Sequence, residues 1–161
     1  MNAPVADHTL LNTVTDLLTR YVHCIDSDAL EQWPDFFTAD CVYKITTAEN
    51  QRRNLPVGII FANSKGMLRD RVAALRDANI YEAQTYRHIV SSSLITSRTA
   101  DEVAVTSNFM VVRILQDGDQ ILYAVGRYID RIALTEAGPL FREKLVVLDS
   151  NKIDTLLAIP L

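Results

Sequence analysis

Along the first part of the chain, apolar residues recur at Leu10, Val14, Leu17, Tyr21 and Ile25, flanked by Leu11, Leu18 and Val22. Polar Asn12, Asp16 and Arg20 fall opposite them. A stripe of that period is one face of an amphipathic helix, and Asp7 or Thr9 is placed to cap its start. The stripe ends in Ile25-Asp26-Ser27-Asp28. Asp28 with Glu31 three residues on is a capping-box-like pair and predicts a second helix, which carries Trp33, Phe36 and Phe37. Pro34 has no backbone N–H to donate, so that helix must kink or restart there. The β-branched and aromatic run 42–46 predicts a first strand. A polar loop over 49–54 and Pro56 separate it from a second strand over 57–61. Ser64 is placed to cap a third helix whose buried face is Met67, Leu68, Val72 and Leu75, with Arg69, Arg71 and Arg76 mostly outside it.

Beyond Asn79 the period changes from helical to alternating, and four long strands are predicted over 86–97, 102–115, 120–133 and 140–149. The turns between them are Thr99-Ala100-Asp101, Gln116-Asp117-Gly118-Asp119 and Glu136-Ala137-Gly138-Pro139, all rich in the residues that turns demand. Val103, Val105, Phe109 and Val111 share one face, and Ile121, Tyr123, Val125 and Ile129 share another. A meander of long strands needs one covered face, and the N-terminal helices are the elements able to cover it. The closing stretch 153–161 is apolar enough to dock against the body. The expected architecture is α+β in one domain, 1–161: helices first, then a curved antiparallel sheet wrapped around them into a cone. At this level the chain resembles the cystatin-like cone shared with nuclear transport factor 2.

Composition narrows the function classes. With 161 residues, 48% hydrophobic and 22% charged, the chain is globular and long enough to bury a core without staples. A formal charge of −4 and the absence of a basic stripe give no footprint for nucleic acid. No apolar run approaches a membrane span, and the N-terminus lacks a signal-peptide pattern. The expectation is a soluble cytoplasmic protein with Cys24 and Cys41 as buried reduced thiols. The three histidines are His8, His23 and His88. His23 and Cys24 are adjacent on a helix and point about 100° apart, and neither cysteine lies in a metal-binding spacing, so no cofactor or metal site is expected in this chain. No G-x-S-x-G elbow and no glycine-rich phosphate cradle occur.

Acid–base work inside the cone is the chemistry that remains open. Asp26 ends the first helix and His88 lies early on the first meander strand, while Tyr21, Tyr43 and Tyr128 are phenols that would face a pocket. A carboxylate holding an imidazole, with a phenol as donor, suffices for dehydration or isomerisation. The bland alternative is that Asp26 caps the helix or pairs with Arg20 or Arg87, and that His88 is a satisfied strand histidine. Trp33, Phe36 and Phe37 are read as core in preference to a binding platform. Arg113, Arg127 and Arg131 alternate with apolar residues on the strands. With Arg87 they are candidates for a protein interface, where guanidinium groups pair at low desolvation cost.

Several segments, in order, carry a family resemblance. They are Ile25-Asp26-Ser27-Asp28 through Trp33-Pro34 to Phe37, Asp40-Cys41-Val42-Tyr43, Asp70-Arg71-Val72 through Leu75-Arg76 to Ala78-Asn79-Ile80-Tyr81-Glu82, and Tyr86-Arg87-His88. Phe109-Met110-Val111-Val112-Arg113, Gly126-Arg127-Tyr128-Ile129-Asp130 and Asp149-Ser150 with Ile153-Asp154-Thr155-Leu156-Leu157 follow. In these the chain resembles the small (β) subunit of Rieske-type aromatic-ring-hydroxylating dioxygenases, most closely the branch acting on aromatic carboxylates of the salicylate, terephthalate or anthranilate type. The resemblance implies a cone-shaped subunit without cofactors. Its partner would be a large α subunit carrying the Rieske [2Fe–2S] cluster and a mononuclear iron, commonly in an α3β3 hexamer. NAD(P)H electrons would reach that complex through a reductase and sometimes a ferredoxin. None of the family's metal ligands maps to a residue here.

Overall fold

The computed structural model describes residues 8–78, 83–152 and 157–161. Helix α1 (His8–Asp26) buries Leu10, Val14, Leu17, Leu18, Tyr21, Val22, Cys24 and Ile25, the face its periodicity predicts. Thr9 lies within it and is not its cap; Asp7, the other candidate, is outside the described residues. The second helix is a 3-10 helix, Leu30–Phe36, with Pro34 inside it and no side-chain cap. The expected capping box does not form because Asp28 sits at φ 57 and turns its carboxylate to Arg76, 2.9 Å away. Glu31 meets the same guanidinium at 2.7 Å. The two acids therefore clamp the 3-10 helix to helix α3 (Lys65–Ala78).

Strand β1 (Phe37–Thr47) is longer than the 42–46 core of its sequence signal. The polar stretch expected as loop instead forms a short helix, α2 (Ala48–Arg52), whose first turn is capped by the Thr47 hydroxyl accepting from the Asn50 N–H at 3.2 Å. Strand β2 is only Ile60–Ala62. Ser64 caps α3 as expected, accepting from the Met67 N–H at 3.2 Å. Leu68, Val72 and Leu75 are buried, but Met67 is 41% exposed, one position off that stripe.

The first meander strand breaks in two, β3 (Gln84–Val90) and β4 (Leu94–Arg98), both pairing antiparallel with β5 (Glu102–Leu115). Ser91–Ser93 mark the break: the Ser91 hydroxyl accepts from the Asn108 N–H at 3.0 Å, and the Ser93 and Ser107 hydroxyls bond at 2.8 Å. These side chains compete with the ladder and bend the edge. Strands β6 (Gln120–Thr135) and β7 (Gly138–Leu148) complete a seven-stranded sheet in the order β2-β1-β7-β6-β5-β3, with β4 also on β5. The β1–β7 pair is parallel, and the other pairs are antiparallel.

Register shifts at Val111/Val112, Arg131/Ile132 and Phe37/Val42 curve the sheet. The first leaves Tyr123 as an extra residue, between Ala124 opposite Val111 and Leu122 opposite Val112. It corrects the expected β6 face: Ile121 and Val125 are exposed, and the residues facing the core are Tyr128, Asp130 and Ile132. Gly126 leaves no room for a side chain against β7, since a Cβ there would collide with the Val147 carbonyl oxygen. Inside the curve, α1 and the 3-10 helix pack on an aromatic cluster. Trp33 lies edge-on to Phe37 at 5.6 Å and to Tyr43 at 5.1 Å, and Tyr21 edge-on to Phe141 at 5.3 Å. Trp33 and Phe37 are fully buried, so they serve as core, as the sequence reading has them.

Candidate functional site

The fold brings Asp26 and His88 together. Asp26 ends α1 and His88 lies in the middle of β3, and the carboxylate takes two hydrogen bonds from that one residue. Oδ2 accepts the His88 backbone N–H at 2.9 Å, and Oδ1 lies 2.6 Å from Nδ1. The side chains are 0% (His88) and 5% (Asp26) exposed. Arg20, one of the partners expected for Asp26, bonds Asp16 instead. The other ring nitrogen, Nε2, is buried without a hydrogen-bond partner among the described residues. A carboxylate fixing Nδ1 leaves Nε2 as the nitrogen able to exchange a proton, so the dyad has the form that acid–base chemistry uses.

Two of the three phenols are committed elsewhere, while the Tyr128 hydroxyl is buried without a hydrogen-bond partner among the described residues. Tyr21 of α1 and Tyr43 of β1 both donate to the Leu161 carbonyl, at 2.8 and 3.1 Å, and the Leu161 N–H donates back to the Tyr43 hydroxyl at 3.0 Å. Burial pushes both hydroxyls well above the usual phenol range, so they are neutral donors. Arg71 of α3 reaches over the same segment and donates to the Leu157 carbonyl at 2.9 Å. The predicted docking of the closing stretch holds for 157–161; residues 153–156 lie outside the described ones.

Tyr128, the third phenol, stacks on Phe109 at 4.3 Å and lies under a buried ion pair that sequence reading missed. Lys144 Nζ sits 3.2 and 3.3 Å from the Asp130 carboxylate oxygens, both side chains fully buried. The ammonium also lies 3.6 Å from the Tyr128 ring centre and 4.5 Å from those of Tyr21 and Phe141. Desolvation pushes the Asp130 carboxyl up to about 6, with Lys144 opposing, and lowers the Lys144 ammonium from its ordinary value. A signal was present: Asp130 and Lys144 are direct cross-strand partners at inward phases of β6 and β7. Opposite charges at such positions read as a buried pair.

A half-open cavity of about 570 Å³ lies between the start of β6, the end of β7 and segment 157–161, with Ile121, Leu122, Val125, Lys152 and Leu161 on its wall. A smaller one of about 130 Å³ lies beside α1, lined by Thr15, Val22, His23 and Ser91 among others. Neither is lined by Asp26 or His88. Of the interface candidates, Arg87 and Arg127 are exposed. Arg131 is tied to Glu102 at 2.8 Å, with Glu143 at 3.6 Å. Arg113 is buried and stacks over the Tyr123 ring at 4.7 Å, so it is not presented on the surface. Cys24 and Cys41 are buried free thiols, and burial pushes Cys24 up to about 11. Among the described residues no three of His, Cys, Asp and Glu converge to hold a metal ion, and no helix is long and apolar enough to cross a membrane.

Residues 20–155 match the family model described as ring hydroxylating beta subunit. The chain is 43% identical to the beta 1 subunit of the terminal oxygenase component of terephthalate 1,2-dioxygenase from Comamonas sp., covering 88% of this chain and 92% of that one. It is 42% identical to the small subunit of anthranilate 1,2-dioxygenase from Burkholderia cepacia, covering 90% of each. Among solved structures, a chain assigned as the beta subunit of an aromatic-ring-hydroxylating dioxygenase from Novosphingobium aromaticivorans superposes with a TM-score of 0.89 at 34% identity, covering 96% of this chain and 98% of that one. A chain assigned as a scytalone dehydratase from the same organism superposes at 0.70 with 13% identity, covering 95% and 93%, a likeness of fold alone. The α+β cone expected from the sequence is the fold these neighbours share.

Proposed function

The chain belongs to the family of ring-hydroxylating beta subunits, and from that premise we propose that it is the non-catalytic small subunit of the terminal oxygenase component of an aromatic-ring hydroxylase. Its work is to brace a large subunit that carries the Rieske [2Fe–2S] cluster and the mononuclear iron. The donor set here does not fit either group, since His88 is committed to Asp26 and the two cysteines are buried separately on α1 and β1. An aromatic carboxylate is the substrate class, supported by relatives that are subunits of terephthalate and anthranilate dioxygenases. The assembly is a cytoplasmic hexamer of three large and three small subunits, fed with NAD(P)H electrons by a reductase, with or without a ferredoxin. Residues 1–161 act in it as one domain.

The observation that carries the non-catalytic reading is the filled interior. Two of the three phenols that an acid–base site would use, Tyr21 and Tyr43, are bonded to the chain's own segment 157–161, and the centre holds a closed Asp130–Lys144 pair whose ammonium covers the ring of the third, Tyr128. Contact with the large subunit therefore falls to the outer surface, where Arg87 and Arg127 lie on exposed positions of β3 and β6. Co-expression with a large chain bearing Rieske-type Cys and His pairs tests this reading. The two should elute as one iron-containing species, and the separated small chain should carry no iron. A small chain that elutes alone in the presence of that partner would overturn it.

One observation favours a second reading, a stand-alone cone-fold dehydratase or isomerase: the 2.6 Å Asp26–His88 contact with its free, buried Nε2. On that reading the isolated chain dehydrates or isomerises a small hydroxylated substrate, and His88→Ala abolishes the activity. An isolated chain without such activity eliminates it.

A further inference from the structure

Segment 157–161 lies in the cone as a ligand lies in a site. It belongs to no helix or strand, yet all five residues are buried and Leu161 is fully so. None has a polar side chain. What the body recognises is backbone, through three side chains from three elements. Arg71 of α3 donates to the carbonyls of Leu157 (2.9 Å) and Ala158 (3.4 Å) at one end. Tyr21 of α1 and Tyr43 of β1 hold the carbonyl of Leu161 at the other, and Tyr43 also accepts its N–H.

Between these ends Pro160 brings no N–H into the apolar interior and so needs no partner there. Main-chain bonds with apolar pockets for side chains are how proteins bind extended peptides. The segment is also not sealed in, because the cavity of about 570 Å³ runs along it with Leu157 and Leu161 on its wall.

We propose that the interior of the cone is a binding site for an extended apolar peptide, occupied in cis by residues 157–161. The site is separate from the subunit role inferred above and does not depend on it. Tethering gives the segment an effective concentration on the order of millimolar, so the intact chain presents the site already filled.

The test uses a fluorescein-labelled Leu-Ala-Ile-Pro-Leu peptide and fluorescence anisotropy. A chain lacking 157–161 should bind it saturably, at least ten-fold more weakly when Tyr43→Phe is added, and the intact chain should bind none below about millimolar. Should the shortened chain fail to fold, full-length Leu161→Asp serves instead, because a carboxylate cannot take the fully buried place of Leu161. In this assay the proposal is overturned by no saturable binding to a vacated chain that is folded by circular dichroism, or by equal binding to the intact chain. Hydrogen exchange on the full chain gives a readout that needs no vacated variant. Tyr43→Phe should speed exchange of the Leu161 amide about ten-fold and leave the β5 amides unchanged, and an unchanged Leu161 amide overturns the proposal.

Discussion

Replacing Lys144 by Met removes the cation from the centre of the cone and leaves Asp130 behind, with both positions fully buried. At 3.2 Å and an effective dielectric of about 20, the pair attracts by roughly 5 kcal/mol. Each contact with the Tyr128, Tyr21 and Phe141 rings adds up to about 2 kcal/mol when desolvated. Against these stands a desolvation cost of several kcal/mol per ion. The balance makes the intact pair worth little, while breaking it is expensive: Lys144→Met should cost about 3–5 kcal/mol, the uncompensated carboxylate being the reason. Asp130→Leu with Lys144→Met, which removes both charges at similar volume, should return to within about 1 kcal/mol of the parent or exceed it.

Urea unfolding at pH 7 followed by circular dichroism measures both variants. The sign of the pH dependence is fixed by the direction of the Asp130 shift. Its folded value, about 6, lies above its unfolded value near 3.9, so the carboxyl's contribution is most favourable when protonated. Stability declines by about 3 kcal/mol as pH rises from about 4 to about 6. In Lys144→Met the opposing cation is gone and the decline continues to higher pH. A single variant within about 1 kcal/mol of the parent, or a double variant as unstable as the single, would mean that an uncompensated Asp130 carboxylate is not what makes the pair costly to break.

Asp26→Ala strips a buried histidine of both its bonds and should cost about 3 kcal/mol, read as a lower urea midpoint. Gly126→Ala forces a Cβ into the β6–β7 ladder against the Val147 carbonyl oxygen, and should cost about 2–3 kcal/mol by the same assay. Arg87→Glu with Arg127→Glu alters only exposed outer positions. It should leave the urea midpoint within about 0.5 kcal/mol while weakening association with the large subunit, as measured by light scattering of the co-expressed complex.

The helical stripe of α1, the Ser64 cap, the turns of the meander and the core role of Trp33 were legible because each is set by neighbours in sequence. The departures came where a distant residue decided the local structure. Asp28 and Glu31 read as a capping box, but Arg76, 48 and 45 residues away, claims both. Residues 86–97 alternate like one strand, but the Ser91 and Ser93 hydroxyls bond across to β5 and break it. The face of β6 was misread because a single unpaired residue, Tyr123, reverses the alternation. For the site, Asp26 and His88 were legible as candidates and do meet. The commitment of Tyr21 and Tyr43 to Leu161 was not, since the partners lie 140 and 118 positions away and are backbone atoms that carry no sequence signature.

As the small subunit of an oxygenase whose iron lies in another chain, this protein should co-assemble with that chain and hold no iron itself. Light scattering gives the mass of the co-expressed complex, and an iron assay on each separated chain locates the metal. One species containing equal numbers of large and small chains is expected, with all iron on the large one. A small chain that remains apart from the large subunit, or that retains iron of its own, would contradict the small-subunit role.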